Sequence, residues 1–265
     1  MNSLTKERLI RMEKAGCLCV IPGIESWSAY SKKAGIKGSS SAREKLDDIV
    51  DRFDMIHQHI PIIQANLMFG LDTDEGEEPV DLNKAFISQT PYVSHSLNIP
   101  APFGGTPLFE RYRDESRILT TLPFTFYCKP YLATTIKHYS PVEFYEKLID
   151  IFTHMTSWSA QYHAVRSMDN LIFRGYLPIR NFSLRVMIRT MRQILVLLKT
   201  DRSFRAFHEG ESQALPEYYH RKYEAFLGPY KELISREERA PVMEKKEAFC
   251  LESETHVPER DHYSR

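Results

Sequence analysis

The stretch Ile62-Ile63-Gln64-Ala65-Asn66-Leu67-Met68-Phe69-Gly70 decides the fold. It is a short apolar run that stops on glycine, the pattern of a buried strand. Before it, residues 41–60 place Leu46, Ile49, Val50, Phe53, Ile56 and Ile60 at helical spacing with charges between them. After it, residues 77–90 carry Val80, Leu82, Ala85, Phe86 and Ile87, a weaker helix, and Tyr92 to Ile99 read as a further strand ending at Pro100. On the other side, Cys17 to Pro22 reads as a buried strand between Gly16 and Gly23, preceded by an amphipathic helix over residues 4–15. Strand–helix–strand–helix–strand with crossovers of this length implies parallel pairing. Residues 1–139 are thus expected to form an α/β unit of about three parallel strands, with an edge left open for something to complete.

Residues 140–240 read as a helical region. Ser140-Pro141-Val142-Glu143 has the capping-box pattern with proline at the first helical position. It opens a helix that runs towards Trp158 or on to Leu171. Residues 181–200 form the most apolar helix, with Arg185, Arg189, Arg192 and Lys199 off its core face. Such a stripe can bind phosphate, but a solvated face is the simpler account. Shorter helices are expected over 217–227 and 229–238. From Lys231 onward 16 of 35 residues are charged, and 241–265 reads as a disordered tail.

With 42% hydrophobic and 12% aromatic residues, the 265-residue chain has enough apolar material for a substantial core. Thirty-five Lys and Arg balance thirty-five Asp and Glu, so no overall field draws it to nucleic acid or anionic lipid. The longest aliphatic run, Ile194 to Leu198, is far too short to cross a bilayer, and the N-terminus has no secretory apolar core. The expectation is a cytoplasmic protein with no membrane partner and no clear nucleic-acid partner. Of the cysteines Cys17, Cys19, Cys128 and Cys250, only the first two are close in sequence. A lone C-x-C is a poor metal signature and reads as two small buried thiols, and no spacing here holds an iron–sulfur cluster. No metal ligand is assigned.

Parallel strands put chemistry at their C-terminal ends. Three segments lie there. In Pro22-Gly23-Ile24-Glu25-Ser26, the glycine admits close backbone approach, and a carboxylate beside a hydroxyl suits vicinal hydroxyls; capping of a following helix is an equal alternative. In Asn66 to Glu75, backbone groups near Gly70 suit a flat heterocycle. Asp72, Asp74, Glu75, Glu77 and Glu78 suggest calcium, but without the full loop pattern they read as solvated acids before a helix. In Ile99 to Leu108, two prolines and two glycines shape a tight loop before a helix opened by Thr106 and Pro107.

Taken together and in order, these motifs resemble the radical S-adenosylmethionine superfamily, in the class that often carries an N-terminal cobalamin-binding domain. Lys14-Ala15-Gly16-Cys17 and Gly23-Ile24-Glu25-Ser26 match a K-A-G-C helix end and a G-I-E-S strand end. Phe69-Gly70-Leu71-Asp72-Thr73-Asp74 matches the latter part of F-x-x-G-x-D-T-D, and Pro100 to Leu108 matches P-x-P-F-x-G-T-P-L. The resemblance covers residues 1 to about 160. It implies a partial (β/α) barrel followed by the helical region. It also implies a cofactor site at Gly23, Glu25, Ser26, Asn66, Phe69 and Gly70, and a substrate-cavity rim at Pro102, Phe103, Gly104 and Thr106. The implied cofactors are S-adenosylmethionine and a [4Fe-4S] cluster that generates a 5′-deoxyadenosyl radical, with cobalamin a family option. The family's C-x-x-x-C-x-x-C loop has no counterpart before Cys17, and no catalytic residue is assigned. The resemblance therefore implies the C-terminal portion of such an enzyme, inactive alone, with an N-terminal half-barrel chain or a second copy completing the open edge and an unknown small molecule as substrate. The alternative is a non-catalytic binding module derived from such a barrel. An unrelated hydrolase is disfavoured, since neither G-x-S-x-G nor H-E-x-x-H occurs.

Overall fold

Thr5 and Gly16 bracket the first helix, α1 (Lys6–Lys14). The Thr5 hydroxyl accepts from the Arg8 amide. Gly16, at φ +77°, turns left-handed, and the Gly16 and Cys17 amides close back onto the Glu13 and Met12 carbonyls. The computed structural model describes residues 4–25, 27, 42–168 and 171–233 of the chain.

Two short strands follow, β1 (Cys19–Val20) and β2 (Gly23–Glu25). Then come α2 (Ala42–His57), β3 (Ile62–Met68), α3 (Glu78–Gln89) and β4 (Ser94–Asn98). β3 is the centre of a small parallel sheet: β1 and β2 lie along one side of it and β4 along the other. The expected strand from Cys17 to Pro22 is thus two pieces of one interrupted line. Pro22 accounts for the break, because it has no N–H to give a ladder and is tolerated only at an edge. Its carbonyl still accepts from the Asn66 amide at 3.0 Å, and the register shifts between Gly23 and Glu25.

That strand was expected to be buried, and it is not. Leu18 is 66% and Ile21 59% exposed, Cys19 is exposed and Cys17 half-buried. The reason is topological: among the described residues nothing pairs with the outer side of β1. The expected pair of buried thiols is corrected with it.

The two faces of the sheet differ. Ile63, Ala65 and Leu67 are buried, whereas Ile62, Gln64, Asn66 and Met68 are half-buried. The buried face joins one core with Leu46, Ile49, Phe53 and Ile56 of α2 and Val80, Phe86 and Ile87 of α3. Phe53 and Phe86 meet edge-on at 5.2 Å. On the other face, the pairings Asn66↔Ser96 and Met68↔Asn98 set Ser96 and Asn98 beside Asn66 and Met68. Parallel sheets are ordinarily covered on both faces; here the second face is a polar, half-open wall.

Beyond β4 comes α4 (Pro107–Asp114), followed by a stretch whose strand-like contact is the antiparallel bridge Ile118↔Thr134. Ser140 caps α5 (Pro141–Met155), its hydroxyl accepting from the Glu143 amide as the sequence indicated. The helix does not run on to Trp158 or Leu171. Ser157 caps a new one, α6 (Trp158–Ser167), by accepting from the Ala160 amide. The apolar helix expected over 181–200 is longer, α7 (Leu171–Thr200). Its Arg185, Arg189, Arg192 and Lys199 are exposed. Asp201 caps α8 (Arg202–His208), and α9 (Glu217–Leu227) leads into a 3-10 turn over Gly228–Leu233; the rest of the helix expected over 229–238 lies outside the described residues. α5 packs between α3 and α7. The expected tail 241–265 lies outside the described residues. The protein is α/β, with a small parallel sheet of four strands and mostly helical content. No helix among the described residues is long and apolar enough to cross a membrane.

Candidate functional site

The C-terminal ends of β3 and β4 and the start of β2 converge on a cavity of about 500 Å³. Gly23 of β2, Asn66 to Met68 of β3 and Asn98 of β4 line it, with Ile99, Ala101 and Phe103 from the loop after β4. Its far wall is Tyr127, Cys128 and Lys129, which return from beyond α4. Tyr145 of α5, fully buried, fixes that return: its hydroxyl donates to the Pro130 carbonyl at 2.7 Å and accepts from the Leu132 amide at 3.3 Å.

The half-open polar wall of the sheet continues into this cavity. Gln64 Nε2 donates to Asn66 Oδ1 at 3.1 Å, and Asn98 Nδ2 donates to the Ser96 carbonyl at 3.3 Å. Lys129 Nζ donates to the Leu97 carbonyl at 2.8 Å and approaches Ser96 Oγ at 3.5 Å. The Asn98 carbonyl accepts from Phe69, so the Leu97 carbonyl points to the opposite, unpaired side of β4. Lys129 therefore caps the free edge of the strand. Burial pushes its ammonium down to about 8, helped by the nearby charge of Arg180. Burial likewise pushes the Tyr127 phenol up to about 12, and its buried hydroxyl has no hydrogen-bond partner. Leaving such a group unsatisfied costs about 1–3 kcal/mol.

The sequence-indicated residues divide into three groups. Gly23, Asn66 and Phe103 line the cavity. Glu25 ends β2, and Ser26 lies outside the described residues. Phe69, Gly70, Pro102, Gly104 and Thr106 are not among the lining residues. Phe69 is fully buried and stacked on Phe144 at 5.4 Å. Gly70 sits at φ +96° with no room for a Cβ, which would meet Phe144 Cε2 at 2.5 Å. The Gly70 and Leu71 amides, suggested by the sequence as heterocycle donors, are already engaged by Asp74 Oδ2 at 2.9 and 3.1 Å. Pro102 is buried and Gly104 exposed. Thr106 holds the loop shut, donating to the Phe103 carbonyl at 2.7 Å and accepting from the Phe109 amide at 3.2 Å.

The acidic run is not simply solvated, as the sequence suggested. Asp74 is 1% exposed. Asp72 pairs with Arg117 at 2.7 Å and Arg111 at 3.0 Å, and Arg117 lies 4.1 Å from the centre of the Tyr112 ring. Glu77 pairs with Lys147. These acids lock α4 and α5 onto the end of β3. No three His, Cys, Asp or Glu side chains among the described residues group as metal ligands. The donor set among the described residues therefore does not fit an iron–sulfur cluster.

Sequence reasoning missed Asn98, Tyr127, Cys128 and Lys129. The one available signal was a lysine isolated in the aromatic stretch Phe124-Thr125-Phe126-Tyr127-Cys128-Lys129-Pro130-Tyr131. A second cavity of about 470 Å³ lies between α6 and α7, walled by Trp158, Tyr162, Val165, Phe182 and Arg185. Its lining, like that of the strand-end cavity, is mostly apolar, with Gln161, Asn181 and Arg185 as its polar members, and it includes no residue of the sheet.

A small parallel sheet with mostly helical surroundings and a cavity at its strand ends defines the class, an α/β protein. No family model matches the chain, and no solved structure does. It is distantly similar to two methyltransferases of Chlorobaculum tepidum. With bacteriochlorophyllide d C-8(2)-methyltransferase it shares 25% identity over 148 residues, 56% of this chain and 32% of that protein. With bacteriochlorophyllide d C-12(1)-methyltransferase it shares 30% over 118 residues, 44% of this chain and 25% of that protein. The chain thus spans a third or less of the curated relatives it matches.

Proposed function

We propose that this chain is the C-terminal portion of a radical S-adenosylmethionine enzyme's partial (β/α) barrel, and that its strand-end cavity holds part of S-adenosylmethionine. The observation that carries the reading is the cavity itself. Three neighbouring parallel strands contribute Gly23, Asn66 and Asn98 to one pocket, β3 and β4 at their C-terminal ends and β2 at its first residue. The half-open polar face of the sheet supports a barrel interior, because an ordinary doubly covered sheet would be apolar there. The similarity to methyltransferases supports methyl transfer as the reaction class, with a bacteriochlorophyllide-like molecule as one substrate.

In this reading, backbone groups at Gly23 and side-chain amides of Asn66 and Asn98 orient the adenosine part, and Phe103 closes the mouth against water. S-adenosylmethionine supplies the transferable or cleavable group at its sulfonium. The cluster that such an enzyme needs belongs to a part of the enzyme other than these residues. The missing opening strands add to the outer side of β1, where exposed Leu18 and Ile21 would become covered. The alternative, a non-catalytic binding module, draws on that same edge.

The test is a titration of S-adenosylmethionine onto the chain complemented with an N-terminal half-barrel polypeptide. Binding that weakens about tenfold or more in Asn66→Ala and in Glu25→Ala is the expected result. Unchanged affinity in Glu25→Ala would remove the ribose assignment, and no binding by the complemented wild type would favour the module.

A further inference from the structure

Lys129 is a cation without a counter-ion. It is half-buried on the cavity wall, and no carboxylate among the described residues pairs with it. The charged group that bears on it from a neighbouring element is Arg180 of α7, another cation; on its own loop it adjoins Tyr127 and Cys128. An ammonium carries three donors. One is held by the Leu97 carbonyl and a second reaches towards Ser96 Oγ, which leaves at least one free. A free donor on a cavity wall describes a complementary acceptor, and the uncompensated positive charge makes that acceptor an anion.

We propose that Lys129 forms an anion-holding end of the strand-end cavity, which takes the carboxylate of the small molecule bound there. This rests on the reading of that cavity as a ligand site. The carboxylate has two sources, the amino-acid end of the cofactor or an acid group on the substrate, and the interaction chemistry is the same for both.

The experiment compares two matched pairs of probes on the purified chain by equilibrium titration. S-adenosylhomocysteine and 5′-methylthioadenosine differ in the amino-acid end; hexanoate and hexanamide differ in charge alone. Wild-type protein is expected to prefer the carboxylate member of at least one pair by about 10-fold or more. The preference should collapse in Lys129→Met and Lys129→Gln. Lys129→Gln keeps a donor for the Leu97 carbonyl, so agreement between the two lysine variants separates loss of charge from loss of fold. The preference should also fall as pH rises through about 8, where the ammonium discharges. A preference confined to the first pair assigns the cofactor's carboxylate, and one confined to the second assigns the substrate's. Equal binding within both pairs, no binding of either, or a preference that survives Lys129→Met overturns the inference. Equal, tight binding of both nucleosides together with equal binding of hexanoate and hexanamide would overturn it while leaving the cofactor reading intact.

Discussion

An alanine at position 70 would set its methyl carbon 2.5 Å from Phe144 Cε2, at a backbone angle of φ +96°. Both the left-handed cost and the overpacking act together there, at about 1–2 and 1–3 kcal/mol. Gly70→Ala should therefore lower stability by about 2–4 kcal/mol in urea unfolding; a loss under about 1 kcal/mol would mean that Phe144 yields. Ser116 presents the converse case. It holds φ +55° after α4, while its amide and that of Arg117 close onto the Arg113 and Tyr112 carbonyls. Ser116→Gly should stabilise by about 0.5–1 kcal/mol, read the same way. Two histidines give the pH dependence. His95 and His208 are buried and pushed down to about 3, against about 6.5 in an unfolded chain. Between those values the unfolded chain binds more protons. Stability is then complete above about pH 6.5 and declines as pH falls, by at most about 1.4 kcal/mol per pH unit for each histidine. His95 faces Thr90 Oγ1 at 2.8 Å and the edge of Phe86, with Arg180 and His154 near enough to oppose its protonation. Urea midpoints from pH 7 to 4 check this, and a His95→Gln, His208→Gln double variant should flatten the slope.

At the scale of elements, β1 is the exposed one. An edge strand with Leu18 66% and Ile21 59% exposed is a template for pairing. The isolated chain should self-associate in light scattering, and Leu18→Lys with Ile21→Lys should shift it to monomer; a wild type that is monomeric at high concentration would contradict the open edge. The elements near β3 were legible in sequence because their periodicities are strong. Ile62 to Phe69 was read as a strand and Ile62–Met68 is one; residues 41–60 were read as a helix and Ala42–His57 is one. The first strand was read as one buried run from Cys17 to Pro22, whereas β1 covers only Cys19–Val20 of it and is not buried, because an apolar run does not reveal whether a neighbour exists to cover it. The division between α5 and α6 was missed because apolar spacing continues across Thr156 and Ser157, and only the Ser157 cap interrupts it. At the site, Gly23, Asn66 and Phe103 were legible because they end or follow strands. Lys129 and Tyr127 were not, because a fold of the chain after α4 and the Tyr145 tether bring them back to β4, and no local pattern encodes that return. Gly70 and Asp74 looked like ligand contacts, yet their partners are one another and Phe144.

For the whole molecule, the account depends on where a nucleoside ligand goes. The chain offers two cavities of similar size, about 500 Å³ at the strand ends and about 470 Å³ between α6 and α7. Volume does not separate them. The distinction is place: the first lies where three parallel strands meet the loop after β4, whereas the second lies between α6 and α7 among exposed aromatic and aliphatic side chains with Gln161, Asn181 and Arg185. The most direct measurement is the map of backbone amide NMR shifts as S-adenosylhomocysteine is added to the complemented chain. Shifts concentrated at Gly23, Asn66 to Met68, Asn98, Ala101 and Phe103 are the predicted result. Shifts concentrated at Trp158, Tyr162 and Phe182 with the strand ends silent, or no shifts at saturating nucleoside, would contradict it.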